Sequence, residues 1–138
     1  MKSPRQVLNN NYQCLENSFI YYIHEACMFD CNSFWDYYNS IKELSYDSLK
    51  HGIDSIVATE IVHTYSYIVS SFMYHFAPND SYAIKDFPNE DYNLYIERLK
   101  LTVEGYFNGN IIDEMSFNDE LTNPVYNKSE LKVIKTVD

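Results

Sequence analysis

Three glycines and four prolines in 138 residues leave the chain poor in the residues that tight turns consume. That scarcity argues against a many-stranded sandwich and toward helices joined by few loops. Positive charge is scarce as well: ten Lys and Arg stand against twenty Asp and Glu, a formal charge of −10. A nucleic-acid binder needs a basic face to displace counterions, so no direct binding of DNA or RNA is expected. No stretch reaches the ~18–20 uninterrupted apolar residues of a membrane span. His63, Thr64, Ser66, Ser70 and Ser71 punctuate the longest candidate. The opening MKSPRQVLNNN lacks the apolar core of a secretory signal. The cysteines are an odd set of three, Cys14, Cys27 and Cys31. Together these features predict a cytoplasmic protein with free, mostly buried thiols. A Gly-rich phosphate loop, a GxSxG elbow and an HExxH zinc motif are all missing.

What is present suits one core. Apolar residues make up 46% of the chain, enough to predict a single domain over residues 1–138 rather than global disorder. Tyrosine is plentiful, at 14, beside 8 Phe. With abundant Asn and Ile, this fits either an AT-rich gene or an aromatic interaction surface. The acidic excess either serves solubility or steers encounter with a basic partner.

The longest periodic segment is DSIVATEIVHTYSYIVSSFMYHFAP, residues 54–78. Ile53, Val57, Ile61, Tyr65, Ile68, Phe72 and Phe76 recur at helical steps, and Ile56, Val69 and Met73 widen the stripe. Asp54 suits the N-cap and Pro78 the stop, giving a helix of roughly 35 Å as the centre of the fold. Residues 1–15 predict a short arm, with a turn at the asparagines 9–11. A helix starts at Asn17 or Ser18, with Phe19, Ile20, Ile23 and Cys27 on one face. A second begins at Asp30 and buries Phe34, Tyr37, Tyr38, Ile41 and Leu44, leaving Asp36, Asn39, Lys42 and Glu43 toward water. Residues 78–91 form a loop with Tyr82, Ile84 and Phe87 as anchors. A last helix over about 90–108 shows Tyr92, Tyr95, Ile96, Leu99, Val103 and Tyr106 and ends at Gly109. Ile111, Ile112, Met115 and Phe117 can fold back, and residues 115–138 form an arm or tail. The expected fold is mainly α, about four to six helices around a central long one, with an extended or loosely attached C-terminal segment.

Candidates for chemistry are thin. Glu60-x-x-His63 has the spacing of a di-iron helical pair, but no second pair exists. A hydrogen-bonded, partly buried His63 is the simpler reading. Cys27 and Cys31 would need further ligands to hold zinc, with His24 the nearest. The carboxylate pairs Asp80/Asp86, Glu90/Asp91, Asp113/Glu114 and Asp119/Glu120 read as solvated surface rather than a glycosidase dyad. No cofactor, metal or catalytic residue is expected, and no enzyme activity.

Two stretches carry a resemblance: NSFIYYIHEACMFDCNSFWDYYNSIKEL over 17–44, and SSFMYHFAPNDSYAIKDFP, YNLYIERL and EGYFNGNIIDE within 70–114. They resemble a family of small bacterial immunity proteins from polymorphic-toxin and contact-dependent growth inhibition systems. The shared motifs are packing and loop motifs, not a chemical signature. The resemblance implies a cytoplasmic, non-catalytic inhibitor. Its partner would be the C-terminal nuclease domain of a cognate toxin, a basic protein bound as a 1:1 heterodimer. A ribonuclease of the EndoU type is the narrower implication. The −10 charge suits such a partner independently. Charge and aromatics then select toxin-binding candidates: Asp80, Tyr82, Asp86, Glu90 and Asp91 in the loop, with Asp113 and Glu114 beyond the last helix. An acidic helical adaptor without a toxin partner is the second reading, and a metal-dependent helical enzyme built on Glu60 and His63 the third.

Overall fold

The computed structural model describes residues 2–126. Among these residues five α-helices follow in order: α1 (Pro4–Tyr12), α2 (Phe19–Tyr21), α3 (Cys31–His51), α4 (Ser55–Phe76) and α5 (Tyr92–Asn108). α2 passes directly into a π-helical turn, Tyr22–Ala26, and a 3-10 turn, Glu114–Ser116, follows α5. Among the described residues there is no strand, only an isolated parallel bridge between Met28 and Lys85. None of the described helices is long and apolar enough to cross a membrane. The mainly α, compact architecture expected from glycine scarcity and helical periodicity is the one found.

Local signals set the helix ends. Asp30 accepts from the Ser33 amide and starts α3, and Asp54 accepts from the Ile56 and Val57 amides and starts α4. Ser18 caps α2 in the same way through the Tyr21 amide. Gly109 closes α5 in the left-handed conformation at φ 76°. α1 runs straight through Asn9, Asn10 and Asn11, where a turn was expected. Ser3 and Gln6 form a reciprocal capping box, with Pro4 in the first turn. Asn11 donates to the Val7 carbonyl and accepts from the Ile20 amide, while Asn9 donates to Glu60. These bonds, to Val7 within the helix and to Ile20 and Glu60 outside it, satisfy the amides that would otherwise compete with the helix.

The expected buried face of α3 is buried: Phe34, Tyr37, Tyr38, Ile41 and Leu44 all lie in the core, joined by Trp35. α1 and α5 each pack against both long helices, and the Tyr37 hydroxyl joins α3 to the Ile61 carbonyl of α4 at 3.2 Å. The central position expected of α4 is therefore shared with α3. Only part of the α4 stripe is covered. Val57, Ile61, Ile68 and Phe72 are buried, whereas Ile53, Ile56, Met73 and Phe76 are exposed. Helical geometry explains the division: the exposed residues lie to either side of the arc that faces α1, α3 and α5.

The segment after α5 is docked, not loose, as far as it is described. Gly105 lets it turn back closely, since a Cβ there would sit 3.0 Å from the Asn110 carbonyl oxygen. Ile111, Ile112, Met115 and Phe117 are half-buried, and Leu121 and Asn123 are buried. Residues 115–126 of the expected arm thus belong to the packed body. The rest of the predicted arm, residues 127–138, lies outside the described residues.

What pins this segment is a buried ionic network absent from the sequence reading. Glu114 Oε2 accepts from Tyr38 Oη at 2.6 Å and from Lys42 Nζ at 2.7 Å. Its Oε1 accepts from Arg98 Nη1 at 3.0 Å and from Asn123 Nδ2 at 2.8 Å. Arg98 also grips both oxygens of Asp119 and lies 4.4 Å over the Phe117 ring. Lys42, expected in water, is buried because its counter-charge arrives from the far end of the chain. Burial works against the Arg98 charge, but the Asp119 bonds and the Glu114 carboxylate outweigh it and hold its pKa above the usual value.

Candidate functional site

The 78–91 loop is a fixed structure, although it has no regular secondary structure. Its central residue Lys85 donates to the Cys27 carbonyl at 2.7 Å and accepts from the Phe29 amide at 2.8 Å. Ile84 donates from its amide to His75 Nδ1 at 2.9 Å. Phe87 stacks on His75 with centroids 4.1 Å apart and meets Phe72, Phe76 and Tyr92 edge-on or tilted. Buried Ile84 and Phe87 and half-buried Tyr82 therefore anchor the loop as the sequence implied. Each backbone constraint aims the polar residues between the anchors outward. Asp80, Asp86 and Glu90 are exposed, and Asp91 is half-buried at the start of α5. Asp86 holds a left-handed φ of 56°, a strained conformation that Asp tolerates better than most residues.

The loop closes over the π-helical turn and the second half of α4. Between them lies a pocket of 430 Å³ whose lining includes His24, Cys27, Tyr67, Tyr74, Asp80 and Tyr82. Tyr82 Oη donates to the Ile23 carbonyl at 2.7 Å, and the Tyr67 hydroxyl pairs with His24 Nδ1. Asp80 Oδ1 accepts from the Tyr82 amide at 2.8 Å, which fixes the carboxylate against the loop backbone where it lines the pocket. Burial, with Cys27 and Tyr67 nearby, pushes the Tyr82 phenol up to about 12. Burial also raises that of Tyr67, helped by Cys14, Cys27 and Glu25. Both rings stay neutral at pH 7. On the other side of α4, Met73, Phe76, Tyr92 and Ile96 line an open groove of 890 Å³ against α5. Glu97 and Lys100 both border it, so it carries no consistent sign of charge.

The seven sequence-predicted contacts do not form one site. Five belong to the loop just described. Asp113 is exposed but sits elsewhere, accepting from the Met115 amide to cap the 3-10 turn. Glu114 is corrected outright: at 3% exposure it is enclosed by Lys42 and Arg98 and has no free surface to offer a partner. Tyr67 and Tyr74 were missed, although their seven-residue spacing puts them on one face of α4.

The other chemical candidates also resolve. Glu60 and His63 diverge: Glu60 is buried and accepts from Asn9 at 3.1 Å, while His63 is exposed and edge-on to Tyr12 at 4.9 Å. His63 is thus not the partly buried residue expected. Glu60 Oε2 and Thr64 Oγ1, one helical turn apart, are buried with no hydrogen-bond partner among the described residues. Cys27 and Cys31 are exposed and Cys14 is half-buried, against the expectation of buried thiols. Cys27 ends the π-turn at φ 51°, which turns it out of the face it would share in a continued helix. No group of three or more His, Cys, Asp or Glu able to hold a metal exists among the described residues.

Comparison with family models, with curated proteins and with solved structures returned no match.

Proposed function

We propose that this protein is an immunity protein that binds a cognate toxin nuclease and blocks its basic cleft, with no reaction of its own. The observation that carries this reading is the loop over 78–91. It combines exposed Asp80, Asp86 and Glu90 with a scaffold locked by backbone bonds and stacked rings. Pre-organised acidic groups lose little entropy on docking and accelerate encounter with a basic surface. The overall charge of −10 acts in the same direction. The resemblance of residues 17–44 and 70–114 to contact-dependent growth inhibition immunity proteins points to the same class of partner. The narrower expectation, an EndoU-type ribonuclease bound 1:1 in the cytoplasm, rests on that resemblance alone.

Co-expression with the toxin domain encoded beside it tests the reading. Cells expressing the toxin alone should die, cells expressing both should survive, and the two chains should co-purify. Asp86→Lys with Glu90→Lys should slow association about tenfold or more at low salt and flatten its salt dependence. Survival without a complex, or a complex that leaves the nuclease active, overturns it. An acidic adaptor would bind basic partners yet give no protection.

A further inference from the structure

The pocket under Tyr82 has a chemical bias that the larger α4–α5 groove lacks. Tyr67, Tyr74 and Tyr82 contribute three aromatic rings, Asp80 contributes a carboxylate, and among the described residues no lysine or arginine lines it. The Tyr82 and Tyr67 hydroxyls are spent on Ile23 and His24, so what those rings have left to offer is their π surface. Electron-rich ring faces beside a carboxylate favour a cation over an anion or a neutral polar group. The walls are also held in register. The Lys85 bonds to Cys27 and Phe29 tie the loop to the π-turn, and π-turns recur at functional positions in helices.

We propose that this pocket receives one cationic side chain, arginine or lysine, of a protein partner. The inference deepens the immunity reading and rests on it for the partner, while the pocket's preference for a cation stands on its own chemistry. In the complex, the guanidinium or ammonium lies among Tyr67, Tyr74 and Tyr82, with Asp80 as its counter-charge. It is an anchor of the kind that dominates interface energetics when a charged group is seated in a formed pocket.

The test uses the full chain and small probes rather than the toxin. Amide spectra are titrated with Nα-acetyl-arginine amide, Nα-acetyl-lysine amide and the neutral isostere Nα-acetyl-citrulline amide. Saturable shifts confined to residues 23–27, 67–74 and 80–82 are expected for one or both cations, and none for citrulline. Which cation binds more tightly identifies the partner's side chain. Tyr74 is 56% exposed, so Tyr74→Ala should fold and weaken binding by about three- to tenfold. Asp80→Asn keeps the acceptor for the Tyr82 amide while removing the charge, and should weaken binding similarly. Equal binding of citrulline, shifts scattered over the acidic surface, or wild-type affinity in both variants overturns the proposal. A pocket that binds arginine in a protein that gives no protection would preserve this inference and defeat the immunity reading. Protection without cation binding would do the reverse.

Discussion

Replacing Glu114 by Gln should be among the most damaging single changes available to this chain. The carboxylate is 2% exposed in its side chain and joins two cations, Lys42 and Arg98, whose side chains are 4% and 1% exposed. Gln is close in shape, so the change removes charge with little change of volume. Arg98 keeps its paired bonds to Asp119, but Lys42 keeps the Ile112 carbonyl and the Tyr38 and Tyr126 rings, with no second carboxylate paired to it among the described residues. Leaving a buried charge without its partner costs about 3–5 kcal/mol. Against a total stability of about 5–15 kcal/mol, that is a large fraction. With a urea slope of about 1–3 kcal/mol/M, the midpoint should fall by roughly 2 M, and the thermal midpoint by roughly 10 °C. Two readouts check the mechanism. Urea unfolding of Glu114→Gln gives the loss, and Lys42→Met in the same background should restore part of it by removing the orphaned ammonium. A loss under about 1 kcal/mol, or a double variant no more stable than Glu114→Gln alone, would refute the assignment of Glu114 as the charge centre of the core.

Three further outcomes follow from the same geometry. Gly105→Ala should destabilise the protein despite alanine's helix propensity, because its methyl would meet the Asn110 carbonyl at 3.0 Å; an unchanged or raised melting temperature would contradict the close approach. Asp54 is held below the usual carboxylate range, first by the Val57 amide, so its contribution is present above the ordinary Asp pKa and fades as pH falls through the lowered one; an NMR titration of its carboxyl should show the depressed midpoint, and Asp54→Asn should shallow the acid limb of the stability curve. Burial raises the Tyr37, Tyr38, Tyr82 and Tyr95 phenols, Tyr82 to about 12, so the stability tied to their neutral forms is intact below about pH 10 and is lost as pH climbs through the raised values; phenolate absorbance should then appear together with loss of helical dichroism, and independent early ionisation of these tyrosines would count against their burial.

The helices were legible because their signals are local. Asp30 and Asp54 stand at the starts, Gly109 at an end, and Phe34 to Leu44 keep a strict helical step. Where the sequence misled, the deciding partner lay far away. Lys42 sits on the inner side of α3 only because Glu114, 72 residues on, supplies its charge. Arg98 was passed over for the same reason, since Asp119 and Glu114 come together around it only once the chain has left α5 at Gly109 and folded back past Gly105. The asparagines at 9–11 read as a turn because the bonds that Asn9 and Asn11 make outside the helix reach to Glu60 and Ile20. The loop candidates Asp80, Tyr82, Asp86, Glu90 and Asp91 were accessible to charge density alone. Tyr67 and Tyr74 were hidden in a helix whose apolar stripe drew attention to its other faces.

The most direct test of the proposed inhibition is a titration of the purified chain against the purified nuclease domain of its proposed cognate toxin, with substrate cleavage followed in parallel. A 1:1 complex whose formation extinguishes cleavage, and whose association slows as salt is raised, is the predicted result. A nuclease that cuts at its full rate in saturating excess of this protein would contradict it.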